Sequence, residues 1–198
     1  MKKCLLAPVL LIFLSAACFL CAQEILPAKL QAVLIFKTLG YIKNAAQIDS
    51  GGKILLGILS DDNVACRSFS KDILENILMA KSSNYKVHNL ELDPMLFKCD
   101  KEEALLDNFK NKNIKVLYII TQNDDNLKVI LKVTRQLNIL SMTGIKTAEN
   151  VENGVSVGFG LQDNKPLILI NKNSIKSEQK EFIDDFYPLT KTVESKPR

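Results

Sequence analysis

The sequence predicts an α/β fold: three layers, a mostly parallel sheet with helices on both faces, and a C-terminal edge hairpin. Three observations predict it. Residues 53–59 and 115–121 are continuous apolar runs, the pattern of strands covered on both faces. Segments with a period of three to four residues lie between the strands, an order that requires right-handed crossovers and a parallel sheet. Near the end, residues 155–161 and 167–171 flank the turn residues Gln162-Asp163-Asn164-Lys165, which is a hairpin signal.

The elements follow in order. Over residues 28–44, Leu30, Val33, Leu34, Leu39 and Ile42 form an apolar stripe, with Lys29, Gln31, Lys37 and Lys43 off it; this is an amphipathic helix. Ser50-Gly51-Gly52 breaks the chain before the first strand, which ends at Ser60-Asp61-Asp62. Ile73, Leu74, Ile77 and Leu78 predict a helix over 70–80. Residues 85–92 read as a strand stopped by Asp93-Pro94. Asp100 with Glu103 three residues on is an N-cap signal for a helix carrying Leu105, Leu106 and Phe109. After the strand at 115–121, Leu127, Ile130, Leu131 and Leu137 predict a helix over 124–137, and 139–143 form a short strand. Residues 174–186 read as a closing helix with Ile175, Phe182 and Phe186 inward, and 191–198 as a polar, frayed tail.

Residues 1–22 read as a secretory signal. Lys2 and Lys3 give the basic start, residues 5–20 an almost charge-free apolar core, and small residues around Ala22 a cleavage point. An uncleaved anchor and a lipid-modified Cys18 are the alternatives, although Leu14 stands one residue too far from Cys18 for the usual spacing. The expected organisation is a signal over 1–22, one α/β domain over 23–190 and the tail. The expected location is outside the cytoplasm, in the periplasm. The 26 basic side chains, less Lys2 and Lys3, leave 24 against 22 acidic ones. That balance, with no basic cluster, argues against a nucleic-acid partner.

Five cysteines are present, and Cys4, Cys18 and Cys21 fall in the signal. Cys66 and Cys99 remain; in an oxidising compartment they read as one disulfide, stabilising by about 3 to 4 kcal/mol. The alternative is two unpaired thiols, one of them in the core. Two scattered cysteines and one histidine lack metal-ligand spacing, so neither a metal nor a cofactor is expected. His88, on the strand face of Leu90 and Leu92, reads as an imidazole bonded to backbone rather than a catalytic base. Gly158 and Gly160 lie inside an alternating strand, not before a helix. They signal close approach of a neighbouring element or a local bulge, not a phosphate loop.

Open parallel sheets bind ligands beyond their strand carboxyl ends. Ser60, Asp61, Thr121, Gln122, Asn123, Thr143 and Gly144 should gather there and form the candidate ligand site. No nucleophile and base pair is recognisable among them, and no enzyme activity is expected. Asp61-Asp62 and Asp124-Asp125 also fit helix starts, where the dipole favours acids.

Two segments resemble the YfiR family of secreted bacterial regulators. Residues 29–42 look like its opening helix. Asn138-Ile139-Leu140-Ser141-Met142-Thr143-Gly144, then Asn153-Gly154-Val155-Ser156-Val157-Gly158-Phe159, then Asp163-Asn164-Lys165 and Leu169-Ile170-Asn171 are similar to a succession of that family's motifs. Residues 53–60 and 115–122 fit its two inner strands. Leu169 departs from the family's Glu, and Lys43-Asn44-Ala45 from its aromatic-Pro pair. The resemblance implies a periplasmic regulator that restrains a membrane diguanylate cyclase by contact with its extracytoplasmic domain. A homodimer is a further possible assembly. The alternative is a small-ligand binding module like one lobe of a solute receptor.

Overall fold

The computed structural model describes residues 25–196; the leader expected over 1–22 lies outside the described residues. Helix α1 (Ala28–Gly40) is followed by strand β1 (Lys53–Ser60), helix α2 (Val64–Ser82), strands β2 (Lys86–Val87) and β3 (Leu90–Lys98), helix α3 (Glu102–Asn111) and strand β4 (Val116–Ile120). Helix α4 (Asp124–Gln136), strand β5 (Leu140–Thr143), helix α5 (Thr147–Glu152), strands β6 (Val157–Gln162) and β7 (Lys165–Ile170), helix α6 (Lys172–Ser177) and strand β8 (Thr190–Thr192) come next.

One sheet of eight strands runs in the order β2-β3-β1-β4-β5-β6-β7-β8. Strands β3, β1, β4, β5 and β6 are mutually parallel, β2 and β7 run against them, and β8 is parallel to β7. The expected three-layer, mostly parallel α/β architecture is present. On one face, α1 and α2 bury Ile35, Leu39, Ile73 and Ile77 against Ile54, Leu56, Tyr118 and Phe159. On the other, α3 and α4 bury Leu105, Phe109, Leu127 and Ile130 against Leu55, Leu59, Leu117 and Ile119. Each such side chain contributes about 1.5 to 3 kcal/mol, so the two apolar faces fix the layer order. The chain leaves β1 for β3 on one side and then crosses to β4 on the other. The carboxyl ends of β1 and β4 therefore mark the topological switch point.

Several elements depart from the sequence expectations. Helix α2 is longer than 70–80, because the Asn63 side chain caps it by accepting the Cys66 amide at 2.8 Å. The strand expected at 85–92 is split: His88 and Asn89 both have positive φ and form the two-residue turn between β2 and β3. His88 thus stands at an exposed turn and not on a strand face, with its Nε2 3.2 Å from the Leu39 carbonyl oxygen. Pro94 does not end β3, which continues to Lys98 opposite β1. Beyond Glu91 that strand has no described neighbour on its other side, so a missing N–H costs nothing there.

The helix expected over 174–186 is also divided. Helix α6 ends at Ser177, Gln179 takes a φ of +52°, Phe182 bridges to Ile42, and residues Asp184–Leu189 form a 3-10 turn. Ile175, Phe182 and Phe186 are nevertheless all buried, the two rings stacked at 4.3 Å. The expected tail begins as β8 beside β7, so the hairpin is flanked on its outer side and is not itself the sheet edge.

Candidate functional site

Of the residues expected at the strand ends, Asp61, Thr121, Gln122 and Asn123 bond to one another, while Ser60, Thr143 and Gly144 bond to other partners. Ser60 ends β1 and is buried, its carbonyl accepting the Cys99 amide at 3.0 Å. Asp61 follows it across the switch point from Thr121. Its carboxylate accepts the Thr121 hydroxyl at 2.7 Å, the Gln122 amide at 2.8 Å and the Asn126 side-chain amide at 2.9 Å. The Cys99 thiol donates to it as well. Burial pushes the Asp61 pKa up, yet the donors from Asn126, Gln122, Thr121 and Cys99 outweigh it and hold the carboxyl below its ordinary value. Asn123 caps α4, accepting the amides of Asp125 and Asn126. Gln122 and Asn123 are exposed at the rim.

The β5 end is closed from above. Thr143 donates to the Ile119 carbonyl at 2.9 Å. Gly144 lies beneath the fully buried Gln31 of α1, whose amide donates to the carbonyls of Leu26 at 2.7 Å and Gly144 at 3.3 Å. Tyr118 donates its hydroxyl to Gln31. A side chain at Gly144 would collide with the Gln31 amide and the Tyr118 hydroxyl, so only glycine admits this helix. Asp61 and Thr121 thus form an internal clasp between the ends of β1 and β4, while Thr143 and Gly144 separately tie β5 to β4 and to α1.

The cysteines expected to form a bridge are both free thiols. Each has its own partner: the Asn63 amide donates to Cys66 Sγ at 3.2 Å, and Cys99 donates to Asp61. Burial raises both thiol pKa values, and the Asp61 carboxylate adds to the rise at each. Among the described residues no group of three or more His, Cys, Asp or Glu side chains converges on a metal position.

Open space lies elsewhere at the same end of the sheet. Beside α5, the face of β6 and β7 that carries Gly158, Gly160, Leu167 and Leu169 is only partly covered. Helix α5 sits directly on Gly158, where an added Cβ would meet Thr147 and Val151 methyls at 2.6 Å. The close approach expected at these glycines is thus present at Gly158 and not at Gly160. At Gly160 the nearest atom would be 3.5 Å away. From there a trough of about 700 Å³ opens, floored by Gly160, Leu167 and Leu169 and walled by Thr147, Lys146 and Ile25. Of the expected site residues, Gly144 alone reaches it. Sequence alternation places Gly160 and Leu167 on strands, but it does not reveal that a six-residue helix leaves their outer half uncovered.

A second polar network has no signal in the sequence. Glu178 is fully buried and accepts the Thr134 hydroxyl at 2.9 Å, the Ser141 amide at 2.9 Å and the Ser156 hydroxyl at 2.6 Å. Burial raises its pKa against these donors. Lys180 donates to the carbonyls of Gln47 and Asn138, at 2.9 and 2.6 Å, and burial lowers its pKa to about 8.

No family model matches the chain, and no curated protein does. Solved structures do share its fold. A conserved domain protein from Vibrio cholerae O1 biovar El Tor matches with a TM-score of 0.55 at 12% identity, over 84% of this chain and 60% of that one. The ABC domain from Streptococcus pneumonia, solved in complex with L-Trp, matches with a TM-score of 0.54 at 8% identity, over 84% and 62%. A ligand-free, open substrate-binding protein with adhesive properties from Clostridium difficile matches at 0.48 and 14% identity, over 77% and 58%. The chain spans about three fifths of the length of each of these structures. The first two matches establish the α/β fold. Among the described residues no helix is long and apolar enough to cross a membrane.

Proposed function

We propose that this chain is a non-enzymatic binding module working outside the cytoplasm, with a small polar ligand seated in the trough beside α5. The observation that carries the reading is the trough itself: about 700 Å³ of open space with an apolar floor and walls that carry Lys146 and Thr147 beside Ile25, a usual size for a small-molecule site. The strand-end clasp supports it from the other direction, because Asp61 spends its lone pairs on internal donors and offers none to a substrate. The fold likeness to a domain solved with L-Trp makes amino acids the first ligands to try. Thermal shift with a panel of amino acids and small metabolites tests this. A ligand that raises the melting temperature of the wild type and not of Gly160→Val, whose side chain fills the floor, supports the reading. A shift that survives Gly160→Val removes the trough as the site.

The regulator reading implied by the family resemblance has one feature in its favour. The Cys99 amide points into β1, so strand alternation turns the Leu96 and Lys98 amides outward along the open edge of β3. Leu96 is 45% exposed there. Such an edge can pair with a strand of a membrane protein's extracytoplasmic domain. Crosslinks from residue 96 to a cyclase sensor domain would support that contact; crosslinks confined to other faces would exclude this edge.

A further inference from the structure

We propose a second ligand site, distinct from the trough, that takes an amphipathic organic anion in the groove between α4 and the C-terminal segment. The groove encloses about 1050 Å³. Leu127 and Leu131 of α4 form its apolar base, and Lys128, Lys132, Arg135 and Lys196 stand around it against two acids, Asp124 and Glu152. Apolar ground lined by four cations, with the Asp125 and Glu102 partners of two of them lying outside the groove lining, is complementary to a molecule with a hydrophobic body and a carboxylate, sulfonate or phosphate head.

The lysines are held in position by partners they can exchange. Lys132 meets Glu102 at 2.8 Å, Lys128 meets Asp125 at 2.8 Å, and Lys196 meets Glu152 at 3.2 Å, all with well-exposed lysine side chains. Ion pairs this exposed are weak, so an incoming anion replaces them at little cost while the carboxylates turn to water. Arg135 donates to the Gly154 carbonyl at 3.5 Å, which holds its guanidinium along the groove wall.

The C-terminal segment separates this groove from the trough. The Val193 amide donates to Ile170 at 2.8 Å and the Lys196 amide to Glu152 at 3.0 Å, while Ser195 Oγ accepts the Asn171 side-chain amide at 2.9 Å. Val193 faces the trough, and Ser195 and Lys196 face the groove. The polar end of the chain is thereby a rib between two cavities, and the groove proposal stands whether or not the trough takes a ligand.

The test uses 8-anilinonaphthalene-1-sulfonate, an aromatic sulfonate of this class, titrated into the folded full chain at low salt with fluorescence as readout. The expected result is one saturable site, with affinity reduced about tenfold or more by Lys132→Glu and by Ser177→Trp, because Ser177 at the end of α6 lines the groove and a larger side chain there narrows it. Gly160→Val leaves the affinity unchanged. Three results overturn the proposal: no saturable binding, affinity indifferent to both groove variants, or affinity lost in Gly160→Val alone. Thermal melts of each variant report whether it is folded, and Arg135→Ala serves as a third groove variant if either of the first two fails to fold.

Discussion

The Thr121 hydroxyl donates to the Asp61 carboxylate at 2.7 Å across sixty residues of sequence, tying the end of β1 to the loop that leads from β4 into α4. The bond lies at the switch point, where an α/β sheet ordinarily opens for ligand. Here the opening is closed by the chain's own donors. The same carboxylate that looks available in the sequence is the knot that fixes two strand ends and a helix start.

Removing that knot costs stability. Asp61→Ala removes the acceptor of the Gln122 and Asn126 donors, leaving the Thr121 hydroxyl only the Asn123 carbonyl, and is expected to lower the unfolding free energy by about 1 to 3 kcal/mol in urea at neutral pH. The folded Asp61 pKa lies below its ordinary 3.8, so its contribution is complete above that value and is lost as pH falls through the folded one. The gap between wild type and Asp61→Ala should therefore narrow as pH drops below 3.8, as measured by urea melts across the acid range.

Glu178 behaves in the opposite sense. Its folded pKa is raised above the ordinary 4.5, so the native state binds its proton more tightly than the unfolded chain does. Its favourable contribution is full below 4.5 and declines as pH rises through the folded value. Glu178→Gln keeps an acceptor for Ser141 and Ser156 and removes the buried charge. Its stability relative to wild type should improve steadily as pH rises above 4.5 in thermal melts. Glu178→Ala, by contrast, is destabilised by about 1 to 3 kcal/mol through orphaned donors.

The two strand glycines should separate cleanly. Gly158→Ala drives a methyl into Thr147 and Val151 of α5 and is expected to cost about 1 to 3 kcal/mol. Gly160→Ala meets only ordinary contact at 3.5 Å and is expected to leave the melting temperature close to that of wild type. Equal losses at both positions would contradict the trough's geometry.

The thiols should be slow. Burial and the Asp61 carboxylate raise the pKa of both Cys66 and Cys99, and the thiolate is the reactive form. Alkylation followed by mass spectrometry should show little modification of Cys66 and Cys99 in the native protein near neutral pH and rapid modification of both in denaturant.

The layers and most elements are legible because apolar periodicity reports burial directly. Residues 53–59 and 115–121 are inner strands, and Leu127, Ile130 and Leu131 do face the core. Turns carried by asparagine and histidine are harder. His88-Asn89 has no glycine to announce a positive φ, so one hairpin reads as one strand. Helix α5 spans six residues, too few for a periodic signal, and its seat on Gly158 is what shapes the trough. Topology places Asp61 beside Thr121 and Gln122 at the strand ends, but sequence cannot say that Asp61 is consumed by Thr121, Gln122 and Asn126. Nor can it reveal that Gln31, polar and off the expected apolar stripe, is fully buried over Gly144.

The most direct test of the binding account is a comparison of ligand-induced stabilisation in Gly160→Val and Gln122→Ala. One substitution fills the trough floor, and the other changes the exposed rim of the strand-end clasp. The account predicts that a stabilising ligand found with the wild type loses its effect in Gly160→Val and keeps it in Gln122→Ala. Loss in Gln122→Ala with retention in Gly160→Val would contradict it and return the ligand to the switch point.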